Sequence, residues 1–209
     1  MKHKRLTVAM VTAIGAVLPA ACAYQGAGMP GVSAITLHGE GALTEPSSTS
    51  PTDTYNPALA PAGARLMATL TPSGESTTAA LTVSGLLPNR GYAVHAHLFR
   101  CNTTPEAAGP HYQNRIDPAA TPKTPSTNPE YANPSNEIWL DVRTNAAGAS
   151  TSRRTVPFVF TDRGPGSIVV HEAAETATGP GQAGQAGDRI ACLTLSAVPP
   201  KGVRVPGLG

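Results

Sequence analysis

Charge is scarce in this chain: Asp, Glu, Lys and Arg make up 13% of its 209 residues, which argues against long solvated helices. The 3.6-residue hydrophobic period that an amphipathic helix requires is almost absent. Glycine and proline, 21 of each, take about a fifth of the positions and favour turns and loops. Because the glycines follow no three-residue period, a collagen-like rod is excluded. Basic residues barely outnumber acidic ones, 15 against 13, so no nucleic-acid-binding surface is expected. The segment Gly179-Pro180-Gly181-Gln182-Ala183-Gly184 lacks both the Gly-Lys-Ser/Thr ending and the preceding nucleotide-fold pattern of a phosphate loop. What is left is a chain long enough for one sizeable core.

The N-terminus reads as an export signal. Lys2, Lys4 and Arg5 precede an apolar run from Leu6 to Leu18 that is too short to span a bilayer comfortably. Pro19-Ala20-Ala21-Cys22 resembles a bacterial lipobox, in which the Cys becomes the lipidated first residue of the mature chain, although Pro19 stands where Leu is usual. An ordinary signal-peptidase cut after Ala23 is the competing reading. Losing residues 1–21 takes formal net charge from +2 to −1, because Lys2, Lys4 and Arg5 go and no acidic residue does. Export also places the three cysteines in a disulfide-permissive compartment, where an odd count leaves one thiol to explain. If Cys22 carries lipid, Cys101 and Cys192 are left as a pair; two buried free thiols is the other reading. The expected organisation is a signal over 1–21, a Gly-rich tether over 22–33, a domain over 34–198 and a tail over 199–209.

Along that domain the texture is of short strands. Ile35 to Leu43 is a first candidate, and Glu45 to Pro61, rich in Pro, Ser and Thr, reads as loop. The runs Arg65 to Leu70 and Thr77 to Val83, parted by Pro72-Ser73-Gly74-Glu75, form a hairpin pattern. Gly91 to Leu98 follows, then a proline-rich loop from Cys101 to Asn136 without a convincing helix. A loop this long inside a compact domain has functional reasons or extra tethers. Strands resume at Glu137 to Thr144, Ala149 to Val159, Ser167 to Glu172 and Arg189 to Val198. The expected fold is an all-β antiparallel barrel or sandwich of about seven to eight strands with long loops.

Chemistry concentrates in the histidines. In Val94-His95-Ala96-His97 the two imidazoles point to one side of a strand, about two pleats apart, and imidazole is a common metal ligand near neutral pH. Alone, the pair also fits a solvated strand face. His111, in Gly109-Pro110-His111-Tyr112, and His171, which ends Ile168-Val169-Val170, could bring four imidazoles from three segments to one site. His38 lies apart and is read as an ordinary residue, while Tyr92, Tyr112 and Trp139 are read as packing residues.

Taken together, Gly91-Tyr92-Ala93-Val94-His95-Ala96-His97, Cys101, Ala108-Gly109-Pro110-His111, Val169-Val170-His171-Glu172 and Ala186-Gly187-Asp188-Arg189-Ile190-Ala191-Cys192 resemble the copper-zinc superoxide dismutase family. The resemblance covers roughly residues 64–198. It implies a Greek-key β-barrel, a copper ion on His95, His97, His111 and His171, and a Cys101–Cys192 disulfide. It also implies that Arg189 draws in and orients the anionic substrate and that His111, matching the family's bridging histidine, carries a proton to product. The implied activity is disproportionation of superoxide to O2 and H2O2.

The chain also departs from the family pattern. No histidine occurs between His111 and His171, so zinc is not expected. Where the family has an aspartate linking two metal sites, this chain has Glu175 at best. A copper-only site needs another partner for His111, and a carboxylate is the expected choice. Glu130 and Glu137 are both candidates, with Asp117 disfavoured by its closeness in sequence. Two other readings stand beside the enzyme. A cupin-like jelly roll also begins from His-x-His, but its acidic ligand is missing and the cysteine pair and Arg189 go unexplained. A non-catalytic copper-buffering lipoprotein on the same fold is the second, and Arg189 discriminates, since storage has no use for an anion guide.

Overall fold

Alternation of small apolar and polar side chains sets up the first sheet. In the computed structural model, which describes residues 35–160 and 163–198, β3 (Arg65–Ser73) and β4 (Ser76–Ser84) pair along their whole length. Their register sets Leu66 against Val83, Ala68 against Leu81 and Leu70 against Ala79, all six buried on one face. A two-residue turn joins them, with Gly74 at φ 59°, the positive angle a tight hairpin asks of its first turn residue. β1 (Thr36–Ala42) pairs with β3, and β8 (Ser150–Val156) pairs with β4. With β11 (Ser196–Val198) on the outside of β1, the sheet order is β11-β1-β3-β4-β8.

The second sheet is built differently, and that difference positions the site. Its order is β2 (Thr52–Thr54), β10 (Arg189–Thr194), β9 (Ser167–His171), β6 (Val94–His97). β6 and β9 are buried at every position, because the sheet is covered on both faces. One face, with Val94, Ala96, Ile168, Val170 and Leu193, meets Leu66, Leu70 and Leu81 of the first sheet in a shared core. The other carries Val169, Cys192, Cys101 and Ala108 in a smaller cluster, and the alternation of β6 puts His95 and His97 on that side. A short two-stranded pairing of β5 (Gly91–Tyr92) with β7 (Val142–Arg143) completes the ladders.

The fold is thus an all-β antiparallel sandwich, as the strand texture predicts. Among the described residues the ladders run as separate sheets rather than one closed ring, and strand segments number eleven instead of the expected seven to eight. The excess comes from interruptions that pattern alone does not show. The run Arg189 to Val198 changes sheets at Leu195, so that β10 pairs with β9 while β11 pairs with β1. Gly91 to Leu98 is broken at Ala93, and Glu137 to Thr144 keeps regular pairing only at Val142–Arg143. Thr52–Thr54, inside the expected loop, adds itself to the edge of β10. The long 101–136 segment contains one 3-10 turn, Pro105–Ala108. The expected export signal, the expected lipidation site Cys22, and the expected 22–33 tether and 199–209 tail lie outside the described residues.

Candidate metal centre

Two imidazoles come from β6, a third from the segment laid beside it, and a fourth from the end of β9. His111 forms a bridge with His97, and Tyr112 donates its N–H to Ala96 O at 2.8 Å, which seats the 98–112 loop against the sheet. His171 lies opposite Arg189, at a register shift in which Ile190 is the extra residue of β10. Such bulges re-aim side chains beside functional sites. The ligand-capable nitrogens of His95, His97, His111 and His171 all lie within 4.8 Å of one another. Ring centroids are 4.1 Å apart for His95 and His111 and 5.3 Å for His97 and His171.

The hydrogen bonds decide which nitrogens face inward. His97 donates from Nδ1 to Gly109 O at 2.9 Å, and His171 from Nδ1 to Gly187 O at 3.2 Å, since a carbonyl can only accept. Their Nε2 atoms therefore hold lone pairs, yet stand 3.2 Å apart. Two lone pairs so placed repel unless a cation sits near both. His111 Nδ1 is 2.8 Å from Glu137 Oε2, again leaving Nε2 inward. His95 contacts Thr176 Oγ1 through Nε2 at 2.6 Å, while its Nδ1 is buried without any partner. An orphaned buried nitrogen costs stability and is what a ligand atom looks like before its metal arrives.

Protonation cannot fill that gap. Burial, reinforced by the neighbouring imidazoles, holds His95 and His97 well below the usual histidine range and draws His171 down to about 3. Opposite nitrogens around one ion sit about 4 Å apart, twice a metal–nitrogen bond of about 2 Å. The four-histidine cluster fits a single transition-metal ion, and imidazole suits zinc, copper, iron or nickel.

The surroundings sort the other expected residues. Arg189 donates to Pro105 O at 2.9 Å and to Gly109 O at 2.7 Å. Among the described residues no carboxylate, Asp188 included, forms an ion pair with it, although Glu106 is near enough to act on it electrostatically. It shares the wall of a cleft of about 490 Å³ with His111 and His171. Cys101 and Cys192 form a disulfide, Cα–Cα 5.7 Å, under the same loop. Of the two carboxylates considered for His111, Glu137 is buried beside it and Glu130 is not there. Glu130 is exposed and pairs with Arg115 at 3.2 Å, because the loop runs along the surface through residues 128–130 before Ala132 returns to the interior. Asp117, though buried, accepts from Ser126 and caps Ala119. Glu175 is exposed, and its neighbour Thr176 takes the place beside His95.

Several participants have no signature in the sequence. Glu137 also accepts from Gln113 Nε2 at 2.8 Å and Trp139 Nε1 at 2.7 Å, so Trp139 is more than packing. Tyr92 and Tyr112 do sit in the core, and His38 bonds Thr69 away from the cluster. Asp141 accepts from Val94 N–H and from Thr176. A polar residue in an otherwise apolar run, Ile138-Trp139-Leu140-Asp141-Val142, is the only advance sign of it. No family model matches the chain, and no curated protein matches it.

Proposed function

We propose that this chain binds one copper ion on His95, His97, His111 and His171 and disproportionates superoxide outside the cytoplasm. The observation that carries this reading is the placement of Arg189, a guanidinium held by two carbonyls and by no ion-paired carboxylate, in the wall of the cleft that His111 and His171 also line. The likeness of the quoted motifs to copper-zinc superoxide dismutases supports it. A second, zinc-holding site is not part of the proposal, since the chain has no histidine between His111 and His171 to supply one. Export through the 1–21 signal, with a lipid anchor on Cys22 or secretion if that residue is not lipidated, is part of the same reading.

Bound copper would supply a one-electron couple that takes an electron from one superoxide and returns it to a second. The chain's residues supply the rest. Arg189 attracts the anion and, held by two carbonyls, presents a guanidinium in fixed orientation. His111, hydrogen-bonded to Glu137, has a proton at Nδ1 and a carboxylate to stabilise an added charge. Product H2O2 requires two protons for each pair of superoxides consumed, and His111 stands at the cleft to relay one.

Elemental analysis and a superoxide-consumption assay on copper-loaded protein test the proposal together. One copper and no stoichiometric zinc per chain, with turnover that Arg189→Ala lowers by about tenfold or more while copper is retained, is the expected result. Copper bound without turnover in the unaltered chain would give preference to the buffering reading.

A further inference from the structure

Of the four imidazoles, His95 is turned the other way. His97, His111 and His171 meet their outer partners through Nδ1, whereas His95 uses Nε2. Its partner is also of a different kind. A carbonyl or carboxylate fixes a tautomer because it can only accept, but the Thr176 hydroxyl can give or take. What removes that freedom is Asp141, whose Oδ1 receives the Thr176 hydroxyl proton at 2.8 Å. Asp141 is itself pinned, its Oδ2 accepting the Thr176 backbone N–H at 2.8 Å and its Oδ1 the Val94 N–H at 2.9 Å. With its proton committed, the Thr176 oxygen can only accept from His95, so Nε2 carries the hydrogen and the unpartnered Nδ1 carries the lone pair.

We propose that Asp141 and Thr176 act as a positioning pair that selects the Nε2–H tautomer of His95 and so makes its Nδ1 the fourth ligand of the site. Where the family likeness left Glu175 at best, the pair supplies a hydroxyl from the 172–188 loop and a carboxylate from the residue just before β7. Because Asp141 also holds the amide next to His95, the strand, the 172–188 loop and the imidazole are set by one side chain. The inference rests on the four-histidine cluster being a metal centre, and is independent of what the metal then does.

The tautomer can be read in the metal-free protein by nitrogen-15 NMR of the imidazoles, and affinity by competition titration with Cu(II) alone. The expected pattern is Nε2–H for His95 and Nδ1–H for the other three. Thr176→Val is expected to abolish the single His95 tautomer and weaken Cu(II) binding about 10- to 100-fold, and Thr176→Ser to restore both. Asp141→Asn, which keeps the shape and removes the charge, is expected to weaken Cu(II) binding too, and gives the reading should the valine variant not fold. An Nδ1–H His95 in the unaltered protein would overturn the proposal, as would unchanged Cu(II) affinity in both variants or a serine variant no better than the valine one. A protein with the expected tautomers and affinities but no superoxide turnover would sustain the positioning pair while ending the proposed enzymatic function.

Discussion

Glu137 is a buried carboxylate toward which three donors converge, from His111, Gln113 and Trp139. A carboxylate satisfies all three because it only accepts. In Glu137→Gln one oxygen becomes an NH2 group, which must then face a donor. If the remaining oxygen serves His111 and Trp139, the amide confronts Gln113 Nε2, and Gln113 cannot turn without losing its bond to the Asp117 N–H, 3.1 Å from its Oε1. We predict a stability loss of about 1–3 kcal/mol in denaturant melts of the metal-free protein, with copper still bound when offered. Gly109 is a second residue whose identity matters. It sits at φ 71° and ψ −164°, a region essentially reserved for glycine, and its carbonyl receives both His97 and Arg189. Gly109→Ala is expected to cost about 1–3 kcal/mol, and to lower superoxide turnover more than an equally destabilising change in the first sheet.

At the scale of elements, the segment from β6 to Gly109 is held at both ends. Cys101 bonds to Cys192 in the middle of β10, across 91 residues of sequence, and Arg189 at the start of β10 grips Pro105 O and Gly109 O. In the chain-entropy account a loop of this size makes the crosslink worth roughly 4 kcal/mol. Replacing both cysteines with serine is expected to lower stability by up to about that amount. It should also weaken Cu(II) binding, because the carbonyl that orients His97 belongs to the freed segment. Denaturant melts and copper competition on one sample check both. Stability falling while Cu(II) affinity stays unchanged would show that packing of Ala108 and Val169 is enough to hold the loop.

For the molecule as a whole, the buried histidines make metal-free stability depend on pH. His171 is lowered to about 3 from an ordinary 6.5, and His95 and His97 are lowered in the same direction, burial being the main cause. Between those values the unfolded chain binds protons that the folded chain refuses, so stability is complete above about pH 6.5 and falls as pH falls toward 3. Three such groups make the decline steeper than one proton would. Thermal melts of the metal-free protein from pH 8 to pH 4 are expected to show it. Saturating copper should raise the melting temperature at neutral pH, since it binds only the assembled cluster, and chelation should reverse that.

The antiparallel β character, the hairpin at Gly74 and the four histidines were legible because they depend on local spacing and residue type, whereas the Cys101–Cys192 pairing, 91 residues apart, was implied only by the family likeness. His95 and His97 share a face simply because strand side chains alternate, a relation any reader of the chain can count. Sheet membership was not legible: nothing in Arg189 to Val198 marks Leu195 as the point where the chain leaves one sheet for the other, since both halves are equally strand-like. Nor could the chain order tell Glu130 from Glu137, because what separates them is the surface course of the loop at Glu130. The roles of Thr176, Asp141 and the Gly109 carbonyl were decided only by the fold. Each acts through a hydrogen bond to a residue distant in sequence, and such a bond exists only once the chain has closed upon itself.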